Sequence, residues 1–203
     1  MTSSLRERML SHHTLFNFFN QLAGITKSRQ LLAERHIRAK PGQRILDIGC
    51  GTADILGHLP AVEYRGFDQN ASYIQAAQRR FGPRGTFLCK DLRTEPVDSA
   101  AYDRVLALGV LHHLNDEECL NLLRLAKAAL KPGGHFVTID GCFIPNQNKI
   151  ARWLMQKDRG HSVRTQAGYA DLISKVFSHA KVFLYNDLVR FPYDHIVFEC
   201  EAK

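Results

Sequence analysis

Ile45-Leu46-Asp47-Ile48-Gly49-Cys50-Gly51-Thr52 is the stretch on which the fold turns. A short apolar run that ends in glycines reads as a buried strand, RILDI over 44–48, delivering the chain into a turn. Glycine there lets backbone approach a ligand closely, and a helix expected to start near Thr52 would offer free N–H groups. A phosphate-cradling loop needs G-x-x-x-x-G-K-[ST], and no such lysine follows. A dinucleotide fingerprint needs G-x-G-x-x-G, but Asp54 holds its third glycine position and would set a carboxylate beside a pyrophosphate. Asp47 at the strand end aims a second negative charge the same way. A cationic ligand without phosphate removes the conflict.

Working outward, strands and helices alternate. VEYRGFD (62–68) reads as the second strand and 70–81 as a helix with Asn70 as its N-cap. TFLCKD (86–91) is the third strand and YDRVLALG (102–109) the fourth; a helix over 115–130, capped by Asn115, leads through a KPGG turn to HFVTID (135–140), the fifth. This alternation predicts a mostly parallel sheet with helices on both faces. After a helix at 167–178, KVFLYND (181–187) and HIVFECE (195–201) are joined by a short link containing Pro192, which suits an antiparallel pair. Two helices, 3–20 and 26–39, precede the core, the first with an apolar stripe of Leu15, Phe16, Phe18, Phe19 and Leu22.

The polar residues at the carboxyl ends of these strands fall where ligands of open α/β sheets bind. Asp68 closes the second strand seventeen residues after Gly51, placed to accept ribose hydroxyls. Asp91, followed by Leu92, closes the third, placed for an adenine amino group. Gly109-Val110-Leu111-His112-His113-Leu114 follows the fourth.

These segments, in this order, resemble a class I S-adenosylmethionine-dependent methyltransferase of the small-molecule and lipid group. ILDIGCGTADI is similar to that family's first motif, RGFDQN to its acidic ribose loop, CKDL to its adenine motif, YDRVLALGVLHHL to its fourth motif and LKPGGHFVTID to the stretch entering the fifth strand. The resemblance covers roughly residues 40–140 and, by topology, the tail. It implies a doubly wound, Rossmann-like, seven-stranded α/β sheet of order 3-2-1-4-5-7-6 with N-terminal lid helices. It also implies S-adenosylmethionine as cofactor, whose sulfonium and ammonium suit the acidic turn. Asp47, Gly49, Cys50 and Gly51 would line its methionine moiety, Asp68 and Gln69 its ribose, and Asp91 and Leu92 its adenine, with Leu108 and Gly109 beside them.

Methyl transfer is an in-line displacement in which positioning supplies much of the rate. A base is needed only if the acceptor must lose a proton. His112 and His113 at the mouth of the fourth strand are candidates, although adjacent residues cannot both enter one cleft, and Asp140 is a third. GVLH stands where amino-methylating enzymes often carry an Asn/Asp-Pro-Pro-aromatic tetrad. No metal cluster is expected, since the His12-His13 and His112-His113 pairs are poor chelators. Residues 143–165 should add a helix with Ile150, Trp153 and Leu154 on one face, a lid from which Arg152, Arg159 and Arg164 would meet a phosphate or carboxylate of the acceptor.

At 203 residues, 45% hydrophobic and 23% charged, the chain is expected to be one globular domain. Its parts would be N-terminal helices (1–40), a cofactor core (41–140), an acceptor lid (141–165) and a C-terminal helix with the strand pair (166–203). No apolar run nears the ~20 residues of a membrane span, and the N-terminus lacks a signal-peptide pattern, so a cytoplasmic location is expected. Five scattered cysteines without a C-x-x-C pair argue against disulfides and zinc. The net charge of +7 concentrates in residues 1–40 and 149–165. It favours anionic partners: a small anionic or lipid-linked acceptor first, RNA second. A non-catalytic binding role is the third reading, and the phenylalanine-rich first helix leaves peripheral membrane contact open.

Overall fold

The computed structural model describes residues 25–90, 97–157 and 162–203. The expected first helix (3–20), Asp91, Leu92 and Arg159 lie outside them. Strands β1 (Arg44–Ile48), β2 (Glu63–Asp68), β3 (Gly85–Cys89), β4 (Tyr102–Leu108) and β5 (Leu130–Phe143) pair in parallel in the order β3-β2-β1-β4-β5. A two-residue strand β6 (Arg164–Thr165) touches the end of β5. β7 (Ala180–Tyr185) and β8 (His195–Glu201) complete the order β5-β8-β7, with β8 antiparallel to both neighbours. This is the order that the family resemblance implies, with β6 shifting the last two numbers by one.

Side chains of a strand alternate between faces, and this sheet is covered on both. Leu46, Val105, Phe136 and Phe198 point to one side, where they meet Leu123 of α3 (Asp116–Ala129) and Tyr169 of α5 (Gln166–Ser174). Ile45, Leu106, Val137 and Val197 point to the other, against Leu32, Ile74 of α2 (Ala71–Phe81) and Phe81. Burial on both faces is why these strands read as near-continuous apolar runs.

Both expected N-caps are present. Asn70 accepts from the Ser72 amide, and Asn115 forms a reciprocal capping box with Glu118. Three local expectations are corrected. The helix near Thr52 is only a 3-10 turn, Asp54–His58, entered through Ala53 at φ +54°. The segment 26–39 is α1 (Ile25–Leu31) running into a π-helical stretch, Leu32–Ile37. KPGG is a turn embedded in β5, since Tyr102 pairs with Leu130 and Arg104 already with His135. Between them Gly133, at φ +73°, donates to the Ala202 carbonyl.

The helix after β5, α4 (Lys149–Lys157), buries Ala151 and Met155 and leaves Ile150 and Trp153 more than half exposed. Of the face read from sequence, Ile150 and Trp153 thus stand exposed and Leu154 half-buried. The described cysteines are free. No helix among the described residues is long and apolar enough to cross a membrane.

Candidate active site

Gly49 follows β1 at φ +69°, and a Cβ there would lie 2.7 Å from the Val110 side chain, so only glycine fits. Gly109 follows β4 at φ +74°, its amide held by the Ile139 carbonyl at 2.7 Å. These two turns border a pair of cavities at the carboxyl edge of the sheet. One, about 800 Å³, is lined by Asp68, Gln69, Lys90, Val110 and His113 among others. The other, about 520 Å³, is lined by Asp47, Cys50, Leu108, His112, Asp140 and His195 among others. Gly49, Gly51, Tyr73 and Gly109 border both.

Asp68 braces the first cavity from below. One of its oxygens accepts the Gly51 amide at 2.9 Å and the other the Asn70 amide at 2.8 Å. The carboxylate thus fixes the glycine turn and keeps lone pairs for further donors.

Asp47 is fully buried beneath the second cavity. The Tyr64 hydroxyl, one strand away, donates to its Oδ2, while its Oδ1 has no partner. Burial pushes the Asp47 carboxyl up to about 7, against the lowering effect of the Tyr64 hydrogen bond. An orphaned, buried carboxylate oxygen bordering a cavity is costly alone and suits a cationic donor. Cys50 is no nucleophile, since burial raises its thiol far above the ordinary value.

Asp54, the residue that excludes a dinucleotide fingerprint, is neutralised by Arg29 at 2.9 Å and by Arg80. Arg29 also lines the second cavity and was not singled out from sequence.

The two histidine rings lie against each other, centroids 4.0 Å apart, yet border different cavities, His112 the second and His113 the first. The His112 ring Nδ1 lies 2.8 Å from Asp140 Oδ1, which also accepts the His112 backbone amide at 3.1 Å. Thr138 donates to Asp140 Oδ2 at 2.7 Å. Asp140 sits within β5 rather than at its end, 3% exposed. A buried carboxylate at Nδ1 selects the tautomer with its basic nitrogen at Nε2.

His195, at the start of β8, faces the same cavity wall. Its Nδ1 is buried without a partner, and burial lowers its imidazole to about 4, so it is neutral at physiological pH. Tyr193 approaches so closely that a Cβ on Gly141 would meet its hydroxyl at 2.7 Å. Tyr64, Tyr193 and His195 carry no local motif; strand register brings Tyr64 and His195 to the site, and the β7–β8 link brings Tyr193.

Of the arginines expected on the acceptor, the two described ones, Arg152 and Arg164, do not converge here. Arg152 is exposed, 5.4 Å over the Phe143 ring, and lines neither cavity. Arg164 is instead a staple of the His112 turn. It donates to the carbonyls of Leu111, Leu114 and Ser162 and to Asp116 Oδ1, at 2.7–3.0 Å. With its donors so committed, it has no capacity left for an acceptor anion. Arg164→Ala is expected to destabilise the fold by about 2–3 kcal/mol, because buried carbonyls lose a charged donor; urea unfolding measures it.

Residues 45–134 match the family described as "Methyltransferase domain". Over that stretch, a little under half of its length, the chain is similar to methyltransferases. It is 26% identical over 172 residues to an "O-methyltransferase" of Pyrenophora dematioidea, covering 71% of this chain and 63% of that protein. It is 30% identical over 110 residues to "Probable tRNA methyltransferase 9B" of Bos taurus, covering 54% of this chain and 23% of that one. The chain thus spans less than two thirds of either relative. By fold it is similar to Haemonchus contortus phosphoethanolamine N-methyltransferase 2, solved with S-adenosyl-L-methionine: TM-score 0.70, 16% identity, covering 87% of this chain and 52% of that one. In a methyltransferase domain, the orphaned Asp47 oxygen, the glycine turns and Asp68 suit a cofactor that is cationic, carries a ribose and has no phosphate. Among the described residues no group of three or more His, Cys, Asp and Glu is arranged to hold a metal ion.

Proposed function

We propose that this protein transfers a methyl group from S-adenosylmethionine to a small anionic acceptor whose nucleophile must lose a proton. The observation that carries the reading is the buried Asp140–His112 pair, standing in the same cavity as the orphaned Asp47 oxygen. The cofactor supplies an activated sulfonium methyl. Asp47 receives its ammonium; Gly49, Gly51, Leu108 and Gly109 give it a backbone surface; Asp68 and Gln69 take the ribose. Asp91 and Leu92, by the resemblance of CKDL, take the adenine.

Toward the acceptor, Asp140 holds the His112 ring so that Nε2 accepts the proton of the attacking group. Nδ1–H stays on Asp140, which also stabilises the imidazolium that forms. His195 stays neutral and offers a hydrogen bond rather than a charge. His113, on the other cavity, is a wall of the cofactor site. An anionic acceptor suits the surplus of basic residues in this chain and the phosphoethanolamine for which the similar Haemonchus enzyme is named. The whole of residues 1–203 acts in this reading as one domain.

Calorimetry with S-adenosylmethionine, S-adenosylhomocysteine and NAD tests the cofactor assignment. Both sulfur compounds are expected to bind and NAD not to, and Asp68→Ala should weaken binding about tenfold, the size of a lost charge-assisted pair. Failure of both sulfur compounds to bind wild type would sink it.

A second reading, methylation of RNA, is favoured by the 110-residue similarity to the bovine protein. It requires RNA binding whose affinity falls steeply with salt.

A further inference from the structure

The acceptor-side cavity continues past the β7–β8 link. Val189 and Phe191 of that link border it, and they also border a second cleft of about 660 Å³ between the link and the first turns of α1. Lys27 and Arg190 line this cleft. Among the described residues, neither has a carboxylate within 4.0 Å or a hydrogen-bond acceptor. That sets them apart from the other basic residues around the site. Arg29 is paired with Asp54, Arg38 with the buried Glu199, and Arg164 is fully committed.

Among the described residues Asp187 is the lone acid on the cleft walls, and it makes no ion pair with either cation. Two unpaired like charges lining one cleft repel each other until an anion enters. Arg190 can present a fork to two oxygens of a carboxylate or phosphate, and Lys27 adds a point charge.

We propose that this cleft seats the anionic group, a phosphate or carboxylate, of a two-ended acceptor whose nucleophile reaches His112 past Val189 and Phe191. The proposal rests on the methyl-transfer reading for the far end of the acceptor, but the anion seat is testable without it. A net excess of one positive charge fits a small anion better than a polyanion, so the cleft also separates a metabolite from RNA.

The probe is inorganic phosphate, titrated calorimetrically into wild type, a Lys27→Gln/Arg190→Gln double variant and a Lys181→Gln control on the exposed edge of β7. Phosphate affinity should fall at least tenfold in the double variant and stay unchanged in the control. Equal affinity in all three proteins, or none in wild type, overturns the seat. Vesicles of phosphatidic acid in phosphatidylcholine separate the sources of the anion. Retention that phosphate competes away and the double variant loses assigns a lipid headgroup; phosphate binding without retention assigns a free metabolite. Retention kept by the double variant overturns the proposal. S-adenosylmethionine titrated into the same samples reports separately on the methyltransferase reading, since Lys27 and Arg190 lie outside its cavities.

Discussion

Asp140→Asn lowers kcat by about 10²- to 10⁴-fold, the range contributed by a positioned general base, while S-adenosylmethionine still binds with wild-type affinity. The amide is nearly isosteric, so the packing of β5 is preserved. With its NH2 turned to the Thr138 hydroxyl, its oxygen still accepts from the His112 amide and ring, but it is neutral and no longer stabilises the imidazolium. With its NH2 turned to Nδ1, the imidazole proton is forced onto Nε2; in either orientation the nitrogen facing the reaction is a weaker base. His112→Asn should cost about as much, and the double variant little more, because the two residues act as one unit. The readout is S-adenosylhomocysteine formed with an acceptor that wild type methylates. The acidic limb of the kcat/KM profile should disappear in both variants. A loss below tenfold in either would mean that the acceptor arrives already deprotonated, and the base assignment would fall.

The parts of this site legible in the sequence are those that backbone geometry imposes on residue type. Gly49 has to be glycine because of its φ and the nearby Val110 side chain, and Asp68 ends a strand whose neighbours bury both faces. Apolar runs covered on two sides marked a mostly parallel sheet, whereas the strand order came only from the resemblance of the ordered motifs to a known family. Where one side chain serves two faces, the pattern misled. Ile150 and Trp153 fall at helical spacing with Leu154, yet α4 docks through the smaller Ala151 and through Met155. The arginines misled because charge says nothing about partners. Arg164 is expected on the acceptor and is instead a cross-link between the β5–α5 connection and the His112 turn. Tyr64 and His195 reach the site only through register, Tyr64 beside β1 and His195 opposite Gly141, and no local spacing encodes that.

Asp47→Asn is expected to weaken S-adenosylmethionine binding by about 30- to 700-fold. The range corresponds to about 2–4 kcal/mol for truncating one partner of a buried charged pair. The more specific expectation concerns pH. Burial raises the Asp47 carboxyl from 3.8 to about 7, so the empty folded protein holds a proton that the unfolded chain gives up. The contribution of Asp47 to stability is therefore most favourable below its unfolded value and declines as pH rises from about 4 to about 7. The cofactor ammonium reverses the preference, because it interacts best with the ionised form. Cofactor affinity should then rise about tenfold between pH 6 and pH 8, as the ionised fraction grows, with binding near pH 7 releasing about half a proton. Calorimetry in buffers of different ionisation enthalpy measures that release directly. In Asp47→Asn both the pH dependence over this range and the proton release should vanish together. If the variant instead binds weakly but keeps the wild-type pH slope, the titrating group lies elsewhere and Asp47 does not meet the ammonium.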